Sequence, residues 1–162
     1  YYDVGKYSSN TDAPALAPLI LKKWNNRPPL LELKNDERKN CWSELLEYGI
    51  SEKDWFITIH CRESGYDKLH NPNRNWDIDK SNQNADIYSY IPAIKKIVEY
   101  GGWCVRVGDP TMKALPELDN VIDYANSRIK SEYMDVFLMA SSMFHVGHSG
   151  VFSIINNIIK FR

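Results

Sequence analysis

The chain is short of cysteine. Only three occur in its 162 residues, Cys41, Cys61 and Cys104, an odd number with no Cys-x-x-Cys pair. That argues against a disulfide framework and against a cysteine-based zinc site, and it points to a reducing, cytoplasmic compartment. Charge of one sign is also lacking: 20 Lys and Arg balance 21 Asp and Glu, for a net charge of −1. Domains that bind nucleic acid usually carry a basic stripe, so nucleic acid is not an expected partner. No run approaches the roughly 18 to 20 apolar residues needed to span a bilayer. The most apolar tail, "VFSIINNIIKFR", is broken by Asn156 and Asn157. No secretory leader is visible. The first residue is Tyr rather than Met, so a fragment or trimmed chain is expected.

Several chemical signatures are missing too. There is no GxGxxG after a strand and no GxxxxGK[ST], which leaves a dinucleotide site poorly supported and a P-loop absent. A methyltransferase would want a glycine-rich loop after its first strand, where "HCRESGYDK" offers only Gly65. There is no HExxH and no GxSxG. His145 and His148, or His60 and His70, could gather at a metal, but no carboxylate–histidine spacing supports it. The pair Asp77 and Asp79 follows a polar, Asn-rich loop, which reads as a solvated surface. Neither a metal nor a cofactor is expected.

What is present suits one globular α/β domain. The length allows one sizeable core. A hydrophobic share of 43% and a charged share of 25% are ordinary, and five Trp, ten Tyr and five Phe supply bulk. Residues 1–34 contain Pro14, Pro18, Pro28 and Pro29 and read as a linker or the end of a preceding domain. From residue 35 to 162 the pattern alternates. "NDERKNCWSELLEYG" reads as a helix capped by Asn35 or Asp36 and stopped by Gly49. "DWFITIHC" reads as a strand buried on both faces. A polar loop of some 23 residues, Arg62 to Asn84, is long enough to suggest function. A helix near Tyr90–Tyr100, capped by Ser89 with Pro92 in its first turn, follows. "WCVRVGD", "VIDYA" and "MFHVG" read as strands. "SEYMDVFLMAS", capped by Ser131, and "SGVFSIINNII" read as helices. Strands alternating with helices imply a parallel sheet with right-handed crossovers.

Ligands of such sheets bind at the carboxyl ends of the strands. Four places are therefore singled out: His60–Ser64, Gly108–Pro110, Asp123–Tyr124 and Gly147–Gly150. His60 and Arg62 are two apart and point the same way from an extended chain. Arginine suits a diphosphate because its fork makes paired, charge-assisted hydrogen bonds. The plainer alternative is an ion pair of Arg62 with Glu63 beside a satisfied core histidine. "GHSG", residues 147–150, lets the backbone approach an anion at a helix start, with Ser149 adding a hydroxyl; otherwise it is a glycine turn with a serine cap. Asp109 either accepts from a ribose or base, or caps a turn before Pro110. Asp135 reads as a solvated first-turn acid.

The stretches "FITIHCRESGYD", "NADIYSYIPAIKKIVEYGGWCVRVGDPTMKALP", "VIDYANSRIKSEYMDVFLMAS" and "FHVGHSG" together resemble a family of bacterial glycosyltransferases. They cover most of residues 50–150 in one order. A more distant similarity is to the fucosyltransferase superfamily, which has a two-domain GT-B fold and inverts configuration without a metal. That resemblance implies a Rossmann-like parallel sheet with flanking helices, the C-terminal nucleotide-sugar domain of such an enzyme, continuing beyond the last helix. By the same carry-over Arg62 would hold the β-phosphate and stabilise the leaving group, with His60 beside it as a second catalytic candidate. His60 and Asp135 would contact the base. Ser149 and its neighbours Gly147, His148 and Gly150 would hold phosphate. Glu63, Ser64, Gly108, Asp109 and Asp123 complete the expected lining. Glu63 and Ser64 stand where those enzymes usually carry Arg or Thr/Asp, which puts GDP-fucose in question as the donor. A general base for the acceptor would come from the other domain or from the long loop, where Glu63 and Asp67 are candidates. The expected partners are a nucleotide-diphosphate sugar and a glycan, lipid or protein acceptor. A nucleotide-binding module without transfer activity is the alternative.

Overall fold

A computed structural model describes residues 33–73 and 84–147. The expectations for residues 1–32, for Asp77 and Asp79, and for His148, Ser149, Gly150 and the last helix lie outside the described residues.

Helix α1 spans Asn35–Leu46. Its cap is Lys34 rather than Asn35 or Asp36. The Glu37 carboxylate accepts from the Lys34 N–H at 3.1 Å, so an acid reaching back from the first turn satisfies the start. Cys41 and Leu45 face inward, and Gly49, at φ +98°, ends the turn that follows. Strand β1 is Phe56–His60. The polar stretch after it holds a short helix, α2, Gly65–His70. It has no buried residue, so no apolar stripe marked it in the sequence. A 3₁₀ turn, Ile87–Tyr90, leads into α3, Ile91–Glu99, with Pro92 in its first turn. Asp86 caps the 3₁₀ turn through the Tyr88 N–H; α3 itself starts after Tyr90 with no side-chain cap, so Ser89 does not cap it as expected. Strand β2 is Trp103–Arg106 and β3 is only Val121–Ile122. Helix α4, Glu132–Ser141, is capped by Ser131, whose hydroxyl accepts from the Met134 N–H. Strand β4 is His145–Gly147.

All three strand pairings are parallel, and the order is β3-β2-β1-β4. Side chains alternate across the sheet and sort into two cores. Phe56, Val105 and Ile122 pack with Leu45, Met134, Phe137 and Leu138 of α1 and α4. Ile57, Ile59 and Cys104 pack with Ile94 of α3 and with Ile87. Helices therefore cover both faces of the described sheet, which explains why β1 has no polar side. Cys41, Cys61 and Cys104 are free and buried, and burial pushes all three thiols up to about 11.

Thr58 is the one polar residue fully inside β1. Its hydroxyl lies 3.0 Å from His145 Nδ1 and donates to Ser142 Oγ at 3.4 Å. Burial lowers the His145 pKa from 6.5. The unfolded chain thus takes up a proton near pH 6.5 that the folded chain refuses until lower pH. Stability is full above that pH and declines below it. Urea midpoints at about pH 7.5 and about pH 5.5 should differ less in His145→Gln than in the wild type. An equal pH dependence in both would remove His145 as the cause.

Candidate functional site

Strand order decides where a ligand can sit. From β1 the chain moves to β2 and β3 on one side, then crosses to β4 on the other. The reversal falls between β1 and β4, and their carboxyl ends are the switch point favoured for ligands in open parallel sheets. His60 pairs with Gly147 there. A Cβ on Gly147 would stand 2.7 Å from the His60 carbonyl oxygen, so a glycine is what lets the two strand ends meet. The structure thus brings His60, Arg62 and Gly147 to one rim.

Arg62 turns to α2. Its Nη2 donates to Asp67 Oδ2 at 2.8 Å, with the side chains 23% and 27% exposed. Its Nη1 is buried and has no hydrogen-bond partner among the described residues. One nitrogen of the fork is anchored and another makes no hydrogen bond, so the guanidinium is only partly committed.

Glu63, next in the chain, has a different employment. Arg106 ends β2 completely buried. Its Nη2 donates to Glu63 Oε1 and its Nη1 to Asp123 Oδ1, both at 2.9 Å. Glu63 Oε2 accepts from the Lys113 N–H at 2.8 Å. Asp123 Oδ2 accepts from the Leu115 N–H at 2.9 Å and from Asn126 Nδ2 at 3.0 Å. One buried guanidinium therefore ties the connections after β1, β2 and β3 together. Every oxygen of the two carboxylates has a protein donor, so Glu63 and Asp123 serve the rim as tethers. Sequence reasoning passed over Arg106 because its partners lie 43 and 17 residues away. The one available signal was a charge inside the apolar run "WCVRV".

The remaining expected residues divide. Gly108, at φ +150°, turns the chain out of β2. Asp109 Oδ1 accepts from the Thr111 N–H at 2.9 Å and from the Thr111 hydroxyl, the turn-capping role rather than an open acceptor. Ser64 precedes α2 and makes no side-chain cap bond. Asp135, in the first turn of α4, holds Lys130 Nζ with both oxygens, at 3.0 and 3.1 Å. Beside it Tyr124 is fully buried, donates to the Ser131 carbonyl at 3.0 Å and accepts from the Ser131 N–H at 3.1 Å. Burial holds its phenol protonated. Among the described residues no three His, Cys, Asp or Glu side chains gather as metal ligands, and no helix is long and apolar enough to cross a membrane.

This fold and rim define an α/β protein with a parallel sheet and a polar carboxyl edge. No family model matches the chain, and no curated protein or solved structure does.

Proposed function

We propose that this chain is the nucleotide-sugar part of a metal-independent, inverting glycosyltransferase of GT-B type. The observation that carries the reading is Arg62: a cation at the switch point of a parallel sheet, with a buried Nη1 that has no partner among the described residues. In the proposed reaction an acceptor oxygen attacks the anomeric carbon of the donor. The bond from that carbon to the β-phosphate oxygen breaks, and the diphosphate leaves with the electron pair. Arg62 stabilises the charge gathering on the leaving group. His60, two residues earlier at the same strand end, is the proton-transfer or base-contacting group. The acceptor proton passes to a base. A nucleotide-binding module that transfers nothing is the second reading. It draws support from Glu63 and Asp67, the two candidate bases, both being held in ion pairs.

Thermal unfolding with GDP and with UDP tests the reading. At about 100 times its dissociation constant a ligand of the folded state adds about 2.7 kcal/mol. Protection by at least one of the two, unchanged in EDTA, is the expected result. No shift with either nucleotide would remove the proposal, and loss of protection on chelation would remove its metal independence.

A further inference from the structure

Five buried side-chain atoms have no hydrogen-bond partner among the described residues: Trp42 Nε1, Arg62 Nη1, Asn84 Oδ1, Arg106 Nε and His145 Nε2. All five are equally shielded from solvent, and three of them sit in surroundings away from the stretch after β1. Trp42 lies edge-on to Phe56 and Phe137 in the core. Arg106 is 0% exposed within its carboxylate clamp. His145 is held through Nδ1 against Thr58, and its Nε2 is closed over by the backbone of β4 at Gly147. The other two belong together. The Ala85 N–H donates to the Arg62 carbonyl at 3.0 Å, and Cys61 Sγ donates to the Ala85 carbonyl at 2.9 Å. Asn84 therefore enters the domain directly alongside the strand end that carries Arg62. Leaving a buried polar atom unpaired is unfavourable, so two such atoms on adjoining backbone call for a common explanation.

Their chemistry differs. Arg62 Nη1 is a cationic donor and suits a phosphate oxygen. Asn84 Oδ1 is an acceptor, which a phosphate oxygen cannot satisfy. It needs an O–H or N–H. A sugar phosphate offers both, an anionic oxygen on the ester and a hydroxyl on the neighbouring ring carbons. We infer that Asn84 is a donor-sugar recognition residue, accepting from a hydroxyl of the sugar whose phosphate Arg62 holds. The assignment rests on the nucleotide-sugar reading and adds to it the residue that separates a nucleotide sugar from the bare nucleotide.

Calorimetric titration of the full chain tests this, with GDP, UDP, GDP-fucose, GDP-mannose and UDP-glucose as probes. Asn84→Ala should weaken the nucleotide sugar that the wild type binds by about tenfold, the worth of one hydrogen bond. It should leave GDP or UDP within about twofold. Asn84→Ser, which keeps a hydroxyl acceptor, should recover part of the loss and guards against a variant that is merely misfolded. Equal weakening of nucleotide and nucleotide sugar would overturn the sugar assignment, as would no change in either. In both of those cases Arg62-dependent nucleotide binding, and with it the proposed function, still stands. A wild type that binds none of the five probes overturns both.

Discussion

Replacing Arg106 with methionine is expected to cost about 3–5 kcal/mol of stability, the usual penalty for removing one partner of a buried charge pair. Glu63 and Asp123 are only about a fifth exposed, at 20% and 19%. Each would be left with a charge that water reaches poorly. The loss is large because a domain of ordinary stability holds only about 5–15 kcal/mol. Methionine keeps most of the volume, so the experiment reads charge rather than a cavity. The triple change Arg106→Met, Glu63→Gln and Asp123→Asn should be milder than the single one, because no uncompensated charge remains. Urea unfolding measures both. A single-variant loss below about 1 kcal/mol would place the clamp among weak surface pairs.

Arg62→Ala is expected to do the reverse. Its ion pair with Asp67 is a quarter exposed on both sides and should contribute about 0–1 kcal/mol to folding. Protection by GDP or UDP, in contrast, should largely disappear, a loss of up to about 2.7 kcal/mol at saturating ligand. Arg62→Lys should restore a fraction, since a point charge replaces a fork. The two arginines stand on neighbouring strand ends, yet one is assigned to stability and the other to ligand. If Arg62→Ala unfolds the protein, or leaves nucleotide protection intact, that division is wrong.

The helices that the sequence disclosed best were those with local signals. Ser131 before an apolar run and Pro92 in a first turn depend on neighbours three or four residues away, and both roles are present. The parallel sheet was legible for a similar reason: "FITIH" and "WCVRV" lack a polar face because both faces are covered. Helix α2 was not legible, since a six-residue helix with nothing buried has no periodicity to detect. The cap of α1 was missed because Glu37 reaches back to Lys34, so the capping group sits inside the helix. The site was legible only in outline. Strand ends can be found by pattern, but partners across a sheet depend on register. Glu63 next to Arg62 invites a pair between them, whereas Arg62 takes Asp67 and Glu63 takes Arg106. Asn84 gave no sign at all, because an unfilled acceptor is visible only once its surroundings are.

The burial of Cys41, Cys61 and Cys104 has a practical side. A thiol must ionise and meet its reagent to be alkylated, and burial works against both steps at all three. A single cysteine placed on the surface would take up a maleimide dye selectively, with the native thiols left in place. The emission of that one dye could then be followed while a sugar nucleotide is added.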